Sequence, residues 1–294
     1  MIGRRTSAAP RRHRRLAAGQ TLRDVLPLPP LEMRELVGPT DPAMFDQPDG
    51  VPVFPEATPA QHASILDFGC GCGRVARKLA LAAAPMPERY VGIDLHRGMV
   101  QWDNDNLAPW LPSFSFEHHD VYNGGFNPDP RKPRMARLPV NDCSVTLLIA
   151  WSVFTHLVQS QAEFYLDEVA RALAPNGLLM ATWFLFDKAY FPMMQEFQHA
   201  LYINDIDPTN AVIFDREWLV QSLNQRGLRI RASTVPQVRG YQWITEIERG
   251  HGSQALPDDD SPFGRAPPPV GRANPSRVGL DDDSDEAGAQ RADH

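Results

Sequence analysis

The sequence predicts an α/β fold with a doubly wound, mostly parallel sheet and helices on both faces. Three observations carry this. A short apolar strand at Ile65–Phe68 breaks into a glycine turn and a helix. Further short apolar runs, each closing on an acid, follow at Tyr90–Leu95 and Phe114–Val121. The run Ser144–Trp151 is continuously apolar between polar flanks, which suits a central strand buried on both faces. Strands alternating with helical patterns are the signature of a layered α/β domain.

The first element is the most specific. Ile65-Leu66-Asp67-Phe68-Gly69-Cys70-Gly71-Cys72-Gly73-Arg74 puts glycine at every second position of the turn and then runs straight into a helix. Glycines there open backbone conformations closed to other residues and let N–H groups approach a ligand. Asp67 adds a carboxylate at the strand end. A dinucleotide site asks for G-x-G-x-x-G, with the pyrophosphate on the helix N-terminus. Here the third dinucleotide glycine is missing, and Asp67 would repel a pyrophosphate while attracting a cationic amine. The second strand closes on Asp94-Leu95, about 20 residues beyond the turn, as expected of a carboxylate that accepts both ribose hydroxyls. The competing reading of Asp94 is a cap for a helix over His96–Trp102.

The third strand closes on His118-His119-Asp120-Val121. Adjacent histidines on a strand point to opposite faces, so a shared metal ion is not expected. The fourth strand brings Ala150, Trp151 and then Ser152-Val153-Phe154-Thr155-His156-Leu157 to the carboxyl end of the sheet, where ligands of such sheets sit. An amphipathic helix is predicted over Gln161–Leu173, a turn at Ala174-Pro175-Asn176-Gly177, and a fifth strand over Leu178–Phe184. The aromatic and Met-rich stretch 186–214 shows no clean strand pattern. It reads either as a cover for an acceptor pocket or as an amphipathic helix on the sheet edge. A last helix opens at Asp215 as N-cap and ends at Gly227. Leu228–Ser233 and Gln242–Ile247 then form a hairpin.

These landmarks, D-F-G-x-G-x-G, Asp94, the third-strand acid and the helix–Pro-x-Gly–strand segment, occur in an order and spacing that resembles the class I S-adenosylmethionine-dependent methyltransferases. The resemblance covers Ser64–Phe186 well and the remainder to Ile247 loosely. It implies a Rossmann-like, seven-stranded sheet with an antiparallel last strand, and S-adenosyl-L-methionine as cofactor. It assigns Asp67, Phe68, Gly69, Gly71, Gly73 and Arg74 to the loop around the amino-acid moiety, Asp94 and Leu95 to the ribose, Asp120 with Val121 or Tyr122 to adenine, and Ala150 and Trp151 to the mouth shared by cofactor and acceptor. Cys70 and Cys72 depart from the pattern, as does Val145-Thr146, where many relatives carry an acid.

Methyl transfer to a hydroxyl needs a base. His156 is the candidate, because an ordinary histidine takes a proton near neutral pH; His199 and His119 are lesser ones. No N-P-P-Y segment points to amide or adenine nitrogen. A small-molecule acceptor is therefore expected, with O-methylation of a sugar or secondary metabolite as the leading reading. The alternatives are a nicotinamide-dependent oxidoreductase and a cofactor-binding module without catalysis.

The 294 residues, 43% hydrophobic and 22% charged, suit one α/β core. A net charge of -7 argues against a general nucleic-acid binder. No run is long enough to span a bilayer, and the Arg-rich start lacks the apolar stretch of a secretory signal. The three cysteines supply neither a disulfide framework nor a zinc spacing, and a cytoplasmic setting is expected. The expected organisation is a Pro-rich, basic and partly disordered extension over 1–60, a catalytic domain over 61–250 and a disordered acidic tail over 251–294. The oligomeric state is not specified by these features.

Overall fold

The computed structural model describes residues 13–82, 85–204, 206–236 and 242–257; the basic arm before residue 13 and the acidic runs from residue 258 on lie outside the described residues. Strands β1 (Ser64–Phe68), β2 (Arg89–Asp94), β3 (Phe114–His118), β4 (Val145–Ala150) and β5 (Leu173–Phe186) pair in parallel in the order β3-β2-β1-β4-β5. The order reverses between β1 and β4. A crevice opens at such a switch point, outside the carboxyl ends of the strands.

The expected parallel sheet with an antiparallel last strand is present. β9 (Trp243–Arg249) lies between β5 and β8 (Leu228–Thr234) and is antiparallel to both, which completes seven strands. Two further short strands, β6 (Ala200–Tyr202) and β7 (Val212–Asp215), fall within the stretch that showed no strand pattern. β7 pairs with the far end of β5, Phe184–Phe186, and β6 with β7. Strands this short are specified by the partner edge rather than by their own alternation.

Helices α1 (Leu22–Val25) and α2 (Leu31–Leu36) belong to the Pro-rich extension, followed by α3 (Arg74–Leu81), α4 (Arg97–Asn106), α5 (Gln159–Ala172) and α6 (Arg216–Gln225). The continuous apolar strands divide their side chains between two core layers. Leu66, Val91, Leu148 and Leu179 meet Tyr165, Leu166 and Val169 of α5 on one face. Ile65, Tyr90, Leu147 and Met180 meet Val75, Ala76 and Leu79 of α3 on the other. This period-two division is why the strands read as unbroken apolar runs.

Three expectations are corrected. The turn at Ala174–Gly177 is part of β5: two steps along β4, from Val145 to Leu147, are matched by five along β5, from Leu173 to Leu178. Pro175 has no N–H to give to the ladder, and the chain absorbs it as a bulge. The extension at 21–62 is packed onto the domain, with Leu26, Phe54 and Ala57 joining the α3-side core and Phe45 fully buried. Finally, 251–257, read as part of the tail, docks on the domain: Gln254 N–H donates to the Ile230 carbonyl, and Arg216 Nη2 donates to the Leu256 carbonyl at 2.9 Å.

Candidate active site

A cavity of about 360 Å3 sits at the switch point, within the size range of sites for small molecules and cofactors. Its walls include Asp67, Phe68, Gly69, Gly71, Arg74, Asp94, Leu95, Val121, Trp151 and His156. Three of the predicted residues do not line it. Gly73 begins α3 in a left-handed conformation, and a Cβ there would come 2.4 Å from Leu107 Cδ1 and 2.6 Å from Asp103 Oδ1, so packing against α4 accounts for this glycine. Ala150 is fully buried in the sheet. Asp120 is held elsewhere, by Lys132 and by Asn127 Nδ2 at 3.1 Å, and its neighbour Val121 lines the cavity in its place.

Asp94 is built into the glycine turn. Its Oδ2 accepts the Gly71 N–H and its Oδ1 the His96 N–H, both at 2.8 Å. Each oxygen keeps a lone pair free, which matches a ligand presenting two hydroxyls side by side. Burial raises its pKa, and the two N–H donors oppose that shift. The helix-cap role passes to His96, whose Nδ1 accepts the Met99 N–H at 3.1 Å.

Asp67 lies at the other end of the turn, 2% exposed, and accepts the Tyr90 hydroxyl at 2.5 Å. Burial pushes its carboxyl up to about 7, against the pull of the Tyr90 hydrogen bond and the Arg74 charge. His119 Nε2 meets the Tyr165 hydroxyl at 2.7 Å, and burial holds this imidazole down at about 4, so it is neutral at physiological pH. His118 turns instead to the Leu95 carbonyl at 2.9 Å.

His156 Nδ1 lies 2.9 Å from the Thr209 carbonyl. A carbonyl only accepts, so Nδ1 carries the proton and Nε2 of the neutral ring is the free acceptor. Thr209 belongs to the 186–214 stretch, which thereby braces His156 while none of its described residues lines the cavity. Ser152 adopts φ 54, rare for a residue with a side chain; Thr182 Oγ1 accepts its N–H at 2.7 Å, and Ser152 Oγ donates to Gln242 Oε1 at 3.0 Å. Phe154 faces away, stacked on Trp183 with centroids 4.2 Å apart.

The sequence reading missed Asn123, Phe126 and Arg134 in the loop after β3, and it missed a whole wall. Leu36, Val37 and Gly38, at the C-terminal end of α2, close over the glycine turn. A Cβ on Gly71, at φ +55, would come 2.7 Å from Val37 Cγ1. Nothing in a Pro-rich run announces such a contact, because it depends on where α2 docks. Tyr165 was legible only as part of the buried face of α5.

An α/β sheet of this order, with a glycine turn and a buried acid beside its switch point, is an arrangement in which nucleoside cofactors bind. Residues 65–177 match the family described as "Methyltransferase domain". The chain thus carries a methyltransferase domain over residues 65–177, for which S-adenosyl-L-methionine is the cofactor. Similar solved structures include a SAM-dependent methyltransferase from Methanosarcina mazei, at 16% identity over 69% of this chain and 99% of that one, with TM-score 0.47. Another is the O-methyltransferase from a trans-AT PKS multienzyme of Brevibacillus brevis in complex with S-adenosyl-L-homocysteine, at 12% identity over 67% of this chain and 70% of that one, with TM-score 0.46. A third is the [4+2]-cyclase SpnF, at 17% identity over 65% of this chain and 75% of that one, with TM-score 0.45.

The donor set fits this cofactor. The acid at 94 suits a ribose, the acid at 67 an ammonium, Arg74 a carboxylate, and Leu95 with Val121 an adenine ring. A pH dependence follows from Asp67. Its folded pKa is raised, so the folded state holds its proton to higher pH than the unfolded chain does. The stability owed to this group is greatest below the ordinary carboxylate range and falls as pH rises through about 7. Ammonium binding runs the other way, since it needs the ionised form. Calorimetry should show cofactor affinity rising severalfold from pH 6 to pH 8 in the native protein and staying flat in Asp67→Asn.

Proposed function

We propose that the protein transfers the methyl group of S-adenosyl-L-methionine to a hydroxyl of a small molecule, of the sugar or secondary-metabolite kind, with His156 as the base. The bound cofactor supplies an activated methyl on a sulfonium. The protein positions the acceptor and removes its proton. Asp94 would hold the ribose, Asp67 and Arg74 the two ends of the amino-acid moiety, and Val121 the adenine. His156 Nε2 would take the hydroxyl proton as the oxygen–methyl bond forms.

The observation that carries this reading is the anchored ring: Nδ1 at 2.9 Å from the Thr209 carbonyl fixes the tautomer and leaves Nε2 as acceptor on the cavity wall. General-base catalysis contributes roughly 10²–10⁴-fold to rate. His156→Ala should lower turnover by about that factor on a panel of polyhydroxylated acceptors, read as S-adenosylhomocysteine formed, and should spare cofactor binding. Undiminished turnover with an unchanged pH profile would remove His156 from the mechanism.

A further inference from the structure

We infer that the adenine of the cofactor is read at a ring nitrogen by His119, whose Nδ1–H is fixed as a donor by the Tyr165 hydroxyl on the far side of the imidazole. The inference rests on the cofactor and is independent of the acceptor and of His156.

The loop after β3 has little else to offer a base. Its acid, Asp120, is engaged by Lys132 and by Asn127. Most of its backbone N–H groups are spent inside the protein: His119 donates to the Asp94 carbonyl at 2.9 Å, Val121 to that of His119 at 2.8 Å, Tyr122 to that of Pro133 at 2.7 Å and Asn123 to that of Asn127 at 3.1 Å. On α5, Gln161 Nε2 donates to the Arg134 carbonyl at 2.9 Å, and its Oε1 accepts the Val158 N–H at 3.1 Å. The carboxylate expected to meet the base is thus withheld from its amine.

His119 is the exception. Its ring is 6% exposed, lies on the cavity wall and packs edge-on against Phe68, with centroids 5.8 Å apart. Nε2 meets the Tyr165 hydroxyl at 2.7 Å. Tyr165 is 1% exposed, and Nε2 is the one acceptor its hydroxyl reaches among the described residues, while the Ala136 N–H approaches the same oxygen. A buried O–H left undonated is costly, so the hydroxyl gives its proton to Nε2 and the neutral ring carries its own on Nδ1. Nδ1 makes no hydrogen bond with the described residues, yet it is not sealed in as Nδ1 of His199 is. The opening it faces is the cavity, whose wall also holds Asp94 and Val121. Burial keeps the imidazole down at about 4, so this donor stays uncharged across physiological pH. Such a donor suits a purine ring, because the ring nitrogens of adenine accept whereas its amine donates.

The test is calorimetric titration of the native protein with S-adenosylhomocysteine and with its 1-deaza, 3-deaza, 7-deaza and 6-desamino analogues. A buried donor left without its acceptor is costly, so one deaza analogue should bind about tenfold or more weaker, with the 6-desamino analogue within about threefold of the parent. His119→Phe combined with Tyr165→Phe keeps the ring packing and leaves no hydroxyl undonated. This double variant should bind S-adenosylhomocysteine as weakly as the native protein binds that analogue, and should no longer distinguish the two. Nitrogen-15 NMR of the native complex gives a readout without any variant: the His119 Nδ1–H should be protected from exchange with S-adenosylhomocysteine and unprotected with the weakened analogue. Equal binding of the three deaza analogues, a larger loss from the missing amine than from any deaza change, or an Nδ1 without a proton overturns the inference. So does discrimination that survives the double variant, which would place the base on the Asp120 N–H. Failure to bind S-adenosylhomocysteine at all would instead strike the cofactor site beneath it.

Discussion

Asp94→Ala is expected to lose cofactor binding by about a hundredfold or more. Hydrogen bonds to a charged group contribute about 1.5–3 kcal/mol each, and a ribose that meets both oxygens loses two of them. The substitution also releases the Gly71 and His96 N–H groups, each 2.8 Å from the carboxylate, so the turn itself loosens. Asp94→Asn separates these effects: its amide oxygen accepts one bond, while its NH2 meets the other donor head-on. Calorimetry with S-adenosylmethionine, beside a thermal melt, distinguishes lost contact from lost fold. Micromolar affinity in a folded Asp94→Ala protein would relocate the ribose site.

The second large effect lies away from the cavity. Arg77 is 6% exposed on α3, and its Nη1 donates to the Phe45 carbonyl at 2.6 Å while Nη2 reaches the Leu26 carbonyl at 3.5 Å. Asp46, which is also paired with Arg23, lies 4.0 Å from it. This one guanidinium ties two points of the extension to the domain. Arg77→Met fills similar space but leaves buried carbonyls without donors, each costing about 1–3 kcal/mol. We expect about 2–5 kcal/mol of destabilisation by urea titration, and faster proteolysis within 22–57. Cofactor affinity should fall with it, because the loosened segment includes the wall at Leu36–Gly38. Native-like stability in Arg77→Met would show that the extension is held by its apolar contacts alone.

The sheet was legible because its strands are short, apolar and bounded by glycine, proline or acids, and because the spacing from the glycine turn to Asp94 follows from the length of one helix. Much of the candidate site was legible for the same reason: Asp67 and Asp94 end their strands, and Gly71, Val121 and Trp151 lie within three residues beyond theirs. Asp120 was misjudged because alternation along β3 says which side an acid faces only while the strand lasts, and β3 stops at His118. Gly73 read as a ligand-binding glycine because sequence spacing cannot distinguish a turn facing a cofactor from one pressed against Leu107 and Asp103. A further cavity of about 540 Å3 was invisible, since it joins Val37, Lys78, Trp151 and Glu246, residues that no local pattern links.

β9 is the last strand along the described chain, yet it occupies the interior of the sheet, between β5 and β8. During synthesis the edge of β5 therefore stays open until residue 249 has emerged, some 60 residues after β5 is complete. At about 5–20 residues per second this interval lasts roughly 3–13 s. For those seconds an apolar strand with unpaired backbone groups is exposed on the nascent chain, a template for pairing with the wrong neighbour. Shielding of that edge before its own final strand arrives is therefore a condition for this sheet to close correctly.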